Sequence, residues 1–244
     1  MAGRLVYSDV QFSYPDGTVA LDKVSFSLDK GEHVALLGPN GAGKSTVLLL
    51  ANGVLLPSAG SILVGDLPLV RENLVAIRQR VGLVFQDPDD QLFMTSVADD
   101  LAFGLLNQGL NTPEVDQRVQ SALLAVGLQD VAAKAPHDLS YGQRKRAALA
   151  TILAMQPEFL VLDEPTSNLD PRSRRQMMQL LAGLESTLLF ATHDLDLVWD
   201  QCSRVLIIDA GQIVADGQTR ELLRDQELLE IHSLELPAAV RYGR

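Results

Sequence analysis

The chain has 244 residues, of which 47% are hydrophobic, and its formal net charge at pH 7 is −11. This length allows a substantial core in a single domain. The acidic balance argues against a nonspecific nucleic-acid binder, because neutralising phosphates requires clustered Lys and Arg. The single cysteine, Cys202, excludes an internal disulfide. No apolar run approaches the roughly 18 residues of a membrane-spanning helix.

A phosphate-binding loop is the strongest motif of the N-terminal part, residues 1–87, which otherwise reads as strands with an antiparallel start. It fits G-x-x-x-x-G-K-[ST], follows an apolar strand-like segment (32–37) and precedes a helical one (47–51). In this motif backbone N–H groups face the phosphates, Lys44 reaches the β and γ oxygens, and Ser45 ligates Mg²⁺. We therefore predict a nucleotide site formed by Gly38, Pro39, Asn40, Gly41, Ala42, Gly43, Lys44, Ser45 and Thr46.

Helical patterning dominates the middle of the chain, residues 88–155. Thr95-Ser96-Val97 is predicted to open one helix and Thr112-Pro113-Glu114 another, because both carry capping chemistry. The run Leu139-Ser140-Tyr141-Gly142-Gln143 then stands at the start of a third helix, where an anion could bind. The basic run Arg144-Lys145-Arg146 is predicted to form a polar face of that helix.

Two carboxylates, Asp163 and Glu164, end a short apolar strand that begins at Phe159. Strands of a parallel sheet are buried on both faces, so these acids are expected at the carboxyl end of the strand, beside the phosphate loop. Asp163 could then hold magnesium through water, and Glu164 could polarise an attacking water. The pairing of this strand with the phosphate loop predicts a nucleotide hydrolase.

The predicted fold is a single α/β domain over residues 1–244. Residues 1–87 and 156–217 form the nucleotide-binding core, and residues 88–155 form a helical subdomain. The tail, 218–244, is predicted to contain an amphipathic helix near 219–230 and then a short irregular end.

The segment 139–143 resembles the L-S-G-G-Q signature of ATP-binding-cassette (ABC) ATPases, with Tyr141 where glycine is commonest. The order of motifs is also similar to that family over roughly residues 5–223. The resemblance implies a P-loop NTPase core of RecA-like type, with an antiparallel β subdomain and an inserted α-helical signature subdomain. The motifs that carry the resemblance are Tyr14, the phosphate loop, Gln86, the signature, Asp163-Glu164, Ser167-Asn168-Leu169-Asp170 and His193.

The resemblance also implies roles for these residues, with ATP and Mg²⁺ as ligands. Tyr14 would stack on adenine, Gln86 would sense magnesium and the lytic water, and His193 would contact the γ-phosphate. The signature, including Ser140 and Gly142, would close over a nucleotide held by another subunit, and the run 167–170 stands at the position of the D-loop. Because one chain has one phosphate loop and one signature, it would work as a homodimer or as a heterodimer with a second ATPase chain.

The segment 86–104 looks like that of the ATPases of energy-coupling-factor importers, especially the cobalt/nickel branch. This implies a peripheral protein at the cytoplasmic face of the membrane, with a transmembrane coupling protein and a substrate-binding membrane protein as partners. Asp99 and Asp100 would meet arginines of the coupling protein, and an exposed apolar patch at 92–94 would receive its helix. The other reading of this segment is a capped helix whose apolar residues lie in the core.

Other functions stay open at this stage. A vitamin importer or a conventional ABC importer would share every nucleotide motif, and a non-transport ABC protein acting on DNA or ribosomes is a third reading. The four histidines stand singly and form no cluster with metal-ligand spacing. A transported metal would therefore be bound by another subunit.

Overall fold

The computed structural model describes residues 3–243, which form ten strands and ten helices in addition to short 3₁₀ turns. The strands are β1 (Leu5–Ser13), β2 (Val19–Leu28), β3 (His33–Leu37), β4 (Ala59–Val64), β5 (Leu67–Pro68), β6 (Val81–Val84), β7 (Phe159–Asp163), β8 (Thr187–Ala191), β9 (Arg204–Asp209) and β10 (Gln212–Gln218). The helices are α1 (Lys44–Ala51), α2 (Leu74–Arg80), α3 (Val97–Asn107), α4 (Thr112–Val126), α5 (Tyr141–Met155), α6 (Pro171–Ala182), α7 (Leu195–Gln201), α8 (Thr219–Leu222), α9 (Gln226–Ile231) and α10 (Ala238–Arg241).

The smaller sheet is antiparallel and has the strand order β2-β1-β4-β5. Its inner face is fixed to α1 by Tyr7, which is fully buried. The Tyr7 ring stacks on Phe26 with the centroids 4.4 Å apart, and its hydroxyl donates a hydrogen bond to Val47 O at 2.8 Å. This sheet therefore holds the first turn of α1 in place.

The larger sheet has the order β10-β9-β3-β8-β7-β6, and every neighbouring pair is parallel except β9 and β10. Alternate residues of its strands enter different cores, because side chains alternate across a sheet. In β3, Val34 and Leu36 join α1 and the antiparallel sheet, whereas Ala35 and Leu37 join the helices on the other side. Burial on both faces explains the continuous apolar runs of these strands.

The helical subdomain packs α3 and α4 against α5, which borders the larger sheet. Ser96 caps α3 and Asn111 caps α4, in each case by accepting a hydrogen bond from the backbone N–H three residues later. Gly127 ends α4 in the left-handed conformation that favours glycine. These helices begin where the capping chemistry of the sequence predicts them.

The tail differs from its prediction. In place of one helix near 219–230 there are two short ones, α8 and α9, and the end of the chain contains α10. The interruption has a local cause, because Asp225 caps α9 by accepting a hydrogen bond from Leu228 N at 3.0 Å. No helix between residues 3 and 243 is long and apolar enough to cross a membrane.

Candidate nucleotide site

The phosphate loop lies between β3 and α1, and close contacts with its neighbours require two of its glycines. Gly43 has a φ of 107°, and a Cβ placed there would lie 2.6 Å from Ala20 O. A Cβ at Gly38 would collide with Ile208 O. Only glycine lets the backbone run this close to β2 and β9, and this path brings the loop to the start of α1, where free N–H groups can bind an anion.

Lys44, the first residue of α1, lies mostly buried against the loop. Its ammonium donates hydrogen bonds to Gly38 O at 2.6 Å and to Pro39 O at 2.9 Å. Burial lowers the pKa of Lys44, while the nearby carboxylates of Glu164 and Asp163 act to raise it. The lysine is thus held at the loop, facing the acids at the end of β7.

The loop opens onto a cavity of about 750 Å³, which brings together most of the predicted site residues. Tyr14 lies in its wall, with its hydroxyl 3.0 Å from Thr46 Oγ1 and its ring edge-on to Phe12. Five lining residues, namely Thr18, Val19, Ala20, Thr166 and Asp194, were not predicted. The predicted residues that line the cavity are Tyr14, Asn40, Gly41, Gly43, Lys44, Ser45, Thr46, Gln86, Asp163, Glu164, Ser167, Asn168 and His193.

Glu164 follows the carboxyl end of β7 and has a φ of 47°, which is unusual for a residue other than glycine. Burial raises the pKa of its carboxyl group, with smaller opposing effects from the His193 N–H and from nearby lysines. Its Oε1 lies 3.4 Å from His193 Nε2 and has no hydrogen-bond partner among the described residues. A cavity-lining carboxyl group with a raised pKa and one oxygen without a hydrogen-bond partner is suited to act as a general base.

His193 follows β8 and spans the gap between the phosphate loop and Glu164. Its Nε2 lies 3.0 Å from Asn40 Oδ1, and its backbone N–H points to Glu164 Oε2 at 3.4 Å. Burial lowers the pKa of His193, and the positive charge of Lys44 lowers it further. The structure therefore brings the histidine to the same wall as the acid.

Three oxygen donors in the cavity could hold a magnesium ion, namely Ser45, Gln86 and Asp163. Hydroxyl, amide and carboxylate oxygens suit this hard cation. The described residues contain no group of three or more His, Cys, Asp or Glu side chains placed to hold a metal alone. The three oxygen ligands fit magnesium, which usually takes few protein ligands and completes its shell with phosphates and water.

The signature segment does not line this cavity. Ser140 is exposed and caps α5 in a reciprocal arrangement, in which Gln143 N donates to Ser140 Oγ at 3.3 Å and Ser140 N donates to Gln143 Oε1 at 2.9 Å. Of the predicted D-loop, Leu169 and Asp170 also lie outside the cavity, and Asp170 caps α6. The two predicted anion-binding helix ends of one chain therefore do not share a site.

The assignment of Asp100 to a partner contact is wrong, because the side chain points inward. Asp100 is only 5% exposed, and its Oδ1 accepts hydrogen bonds from Phe93 N and Met94 N, both at 3.0 Å. Leu92 is also buried, so the predicted exposed patch at 92–94 is reduced mainly to Phe93. Asp99 is exposed and accepts from the Ser96 hydroxyl at 2.6 Å, and its role in a partner contact stays a prediction.

The basic run after the signature is likewise not a uniform polar face. Lys145 is 3% exposed, and its ammonium donates to Glu164 O at 2.5 Å and to Ser167 Oγ at 3.1 Å. The burial of Lys145 could have been predicted from helical spacing, because Lys145 lies one turn before the apolar Leu149 and two turns before Ile152, on the same face of the helix. Sequence reasoning missed this contact between α5 and the end of β7.

Asp194, the cavity residue after His193, was also missed. It accepts two hydrogen bonds from the Arg174 guanidinium, at 2.7 and 2.6 Å, and one from Thr166 Oγ1 at 3.0 Å. Burial acts to raise the pKa of Asp194, but the hydrogen bonds from Arg174 and Leu197 outweigh it and lower the pKa. This pair ties α6 to the loop that carries the histidine.

Comparison with known proteins gives the family. The family model described as "ABC transporter" matches residues 21–167, which is more than half of the chain. The chain belongs to the ABC transporter family. It is therefore an ATPase of this family, and the predicted P-loop NTPase fold with its antiparallel and helical subdomains is confirmed.

Relatives of the ATPase include ATP-binding proteins of energy-coupling factor transporters. It is 47% identical over 234 residues to the energy-coupling factor transporter ATP-binding protein EcfA of Methanococcus maripaludis, which covers 94% of this chain and 84% of that protein. It is 51% identical over 242 residues to an ABC transporter ATP-binding protein of Gloeobacter violaceus, covering 98% and 99% of the two chains. The predicted resemblance to energy-coupling-factor ATPases is thus confirmed.

Solved structures agree with these relatives. CbiO1 from Clostridium perfringens, described as part of the ABC transporter complex cbiONQ, is 38% identical, with a TM-score of 0.82 over 98% of both chains. An ATP-binding cassette solved as a dimer in a post-hydrolysis state with ADP and Pi is 26% identical. Its TM-score is 0.81, and the match covers 88% of this chain and 99% of that one.

Proposed function

We propose that the ATPase is the ATP-hydrolysing subunit of an energy-coupling-factor import complex and that it works as a homodimer. The observation that carries the import role is the match to cbiO1 over 98% of both chains, because that protein is part of a transporter complex. The EcfA relatives support the same assignment. ATP hydrolysis would drive closing and reopening of the dimer, and the motion would pass to membrane partners.

ATP would occupy the cavity with its phosphates over the loop and its adenine against Tyr14. The loop N–H groups and Lys44 would bind the phosphates, and Asp163 and Ser45 would hold Mg²⁺, with Gln86 beside them. The ion, when bound, neutralises charge that develops on the phosphate oxygens.

The hydrolytic step assigned to this site is an in-line attack of water on the γ-phosphorus. Glu164 would accept the proton of the attacking water, and His193 would hold the γ-phosphate by a hydrogen bond. The new bond joins the water oxygen to phosphorus, and the bond from phosphorus to the β,γ-bridging oxygen breaks. The raised pKa of Glu164 and the lack of a hydrogen-bond partner for its Oε1 among the described residues support this role.

The dimer is proposed because one chain leaves its own signature outside the cavity. At the N-terminus of α5, Ser140 is exposed and is then available to a nucleotide on another cassette, whereas Gly142 is buried against Ser173. A homodimer is favoured over a heterodimer because one chain carries the general base, the histidine and both half-sites. The dimeric cassette among the structural neighbours supports this arrangement.

The proposed surface for the transmembrane coupling protein lies on and beside α3. Phe93 and Phe103 are 64% and 41% exposed and pack edge-on, with their centroids 5.0 Å apart, and Leu106 is exposed nearby on the helix. Met155 lies close to Gly104 of α3 and is also one of the residues that line a mainly apolar groove of about 280 Å³, together with residues such as Phe85. An apolar helix face of a membrane partner would fit this surface, with Asp99 at its acidic edge.

A double variant tests the import role directly. Phe93→Ser with Phe103→Ser should leave ATP hydrolysis by the purified chain within about twofold of wild type, because neither residue lines the nucleotide cavity. The measurement is affinity purification from mildly solubilised native membranes, followed by mass spectrometry. Wild type should bring down a coupling protein and a separate substrate-binding membrane protein, and the double variant should lose both.

Other outcomes of this purification would change the assignment. A paired permease with a soluble binding protein would indicate a conventional importer, and the absence of any membrane protein would overturn the import role. Cobalt or nickel is the cargo we propose from the cobalt/nickel resemblance of the segment 86–104. The identity of the co-purified substrate-binding protein, with its metal content, decides between these ions and a vitamin. In this proposal the complex lies in the membrane and this subunit is peripheral, on the cytoplasmic face.

A further inference from the structure

We propose that Lys145 is a positioning residue for hydrolysis, which holds Glu164 in its working orientation from the signature helix of the same chain. The inference rests on the proposed role of Glu164 as general base. It concerns a buried lysine that does not line the nucleotide cavity.

The backbone of Glu164 is held in an uncommon conformation by several hydrogen bonds. Its φ of 47° lies in the left-handed region, which costs a residue other than glycine roughly 1–3 kcal/mol. Its N–H donates to Ala191 O at 2.9 Å. Its carbonyl accepts from Ser167 N at 3.2 Å, from Ser167 Oγ at 2.9 Å and from Lys145 Nζ at 2.5 Å. This conformation sets the direction of the side chain, because it sets the direction of the Cα–Cβ bond.

The ammonium of Lys145 is the only cation among the described donors to this carbonyl. Hydrogen bonds from charged donors are roughly twice as strong as neutral ones, so the lysine is the strongest of the three. The same ammonium bonds to Ser167 Oγ at 3.1 Å and thereby fixes a second donor. Loss of Lys145 would leave the strained backbone of Glu164 held only by its hydrogen bonds with Ser167 and Ala191.

The contribution of Lys145 to the stability of the fold does not explain why a lysine is buried at this position. Burying an ammonium costs several kcal/mol, and an apolar side chain of similar size usually serves a core as well or better. Burial lowers the pKa of Lys145 to about 8, and the carboxylates of Glu164 and Asp163 oppose this shift. The benefit of the charge is therefore local, at the Glu164 carbonyl and beside the carboxylates of Glu164 and Asp163.

The position of Lys145 also links two functional regions of one chain. It lies in the second turn of α5, whose first turn carries the signature. In the proposed dimer that first turn faces the nucleotide of the partner, whereas Glu164 faces the nucleotide of its own chain. A shift of α5 on closure would therefore reach the Glu164 carbonyl through the hydrogen bonds of Lys145, both directly and by way of Ser167.

Steady-state hydrolysis by the purified full chain gives the first test. Lys145→Met keeps the length of the side chain and removes the donor. We expect kcat to fall by about 10- to 100-fold, the cost of misplacing a reacting group by about 1 Å, with KM within about twofold of wild type. Lys134→Met is the matched control, because Lys134 is exposed, and it should hydrolyse ATP as wild type does. A kcat for Lys145→Met within twofold of wild type would overturn the proposal.

Two further variants separate positioning from a purely structural role. Ser167→Ala removes the neighbouring donor and should also lower kcat, and its effect should not add to that of Lys145→Met, because both act on one carbonyl. Lys145→Arg retains a cationic donor. Its kcat should be higher than that of Lys145→Met, whereas its thermal stability should equal that of Lys145→Met. The positioning role would be contradicted if the losses of kcat in Ser167→Ala and Lys145→Met were additive. It would also be contradicted if Lys145→Arg were more stable than Lys145→Met without a higher kcat.

A dimerisation assay distinguishes Glu164 from the signature as the target of Lys145. With Glu164→Gln as background, adding Lys145→Met should leave the ATP-trapped dimer unchanged in size-exclusion chromatography. Loss of the dimer only in the double variant would mean that the lysine supports the signature helix instead. Absence of a membrane partner would overturn the import role alone, since these assays use the purified chain.

Discussion

Replacing Asp100 should destabilise the ATPase much more than replacing the adjacent Asp99. In Asp100→Ala, the backbone N–H groups of Phe93 and Met94 lose a shared carboxylate acceptor at 3.0 Å. A hydrogen bond to a charged group contributes about 1.5–3 kcal/mol, and the desolvation that raises the pKa of Asp100 offsets part of the sum. We therefore expect the free energy of unfolding to fall by about 2–4 kcal/mol. A loss of about 3 kcal/mol would lower Tm by roughly 6–12 °C in a chain of this length.

The matched variant Asp99→Ala removes an exposed carboxylate that accepts hydrogen bonds from the hydroxyls of Thr95 and Ser96. It should cost less than about 1 kcal/mol, as is usual for an exposed charge near a helix N-terminus. Asp100→Asn keeps one acceptor oxygen and should fall between the two.

The assay is urea unfolding of the purified chain, monitored by circular dichroism. The urea midpoints of the variants are compared, provided that the m-value is unchanged. Equal losses for Asp99→Ala and Asp100→Ala would refute the inward placement of Asp100. A larger loss for Asp99→Ala would refute it more strongly.

Three further predictions address other contacts. Tyr7→Phe removes the hydroxyl that donates to Val47 O and should cost about 1 kcal/mol, lowering Tm by about 2–4 °C in calorimetry. Asp194→Asn weakens the pair with Arg174. Because the folded-state pKa of Asp194 is lowered, the stability advantage of wild type in urea titrations should be constant above about pH 5 and should shrink as the pH falls below it. Gly38→Ala places a methyl group against a carbonyl of β9 and should abolish binding of a fluorescent ATP analogue, whereas normal affinity would contradict the close approach.

The sequence could predict the parts of the site that depend on local patterns. The phosphate loop is specified by glycines whose positions leave no space for a side chain, as at Gly38 and Gly43. The acids after β7 could be placed because a buried parallel strand shows polar residues only where it ends. Both motifs can be recognised from the local order of residues, although the contacts that exclude a side chain at Gly38 and Gly43 come from distant strands.

Burial of individual charges could not be predicted in this way. An acid in the first turn of a helix looks the same whether it points to solvent, as Asp99 does, or folds back onto a loop, as Asp100 does. Lys145 sits in a basic run of three, and only the approach of β7 and Ser167 determines that it points inward. The prediction of one helix in the tail was wrong for a related reason. The helical spacing of apolar residues continues through 219–230, but Asp225 caps a new helix within it.

Trapping of a closed dimer by Glu164→Gln tests most directly the claim that a second cassette completes the nucleotide site. The purified variant is mixed with ATP and Mg²⁺ and its mass is measured by size-exclusion chromatography with light scattering. We predict a species of twice the chain mass with ATP, a monomer with ADP, and turnover below about 1% of wild type, the scale of losing a general base. A variant that binds ATP but stays monomeric, or that hydrolyses it normally, would contradict the account.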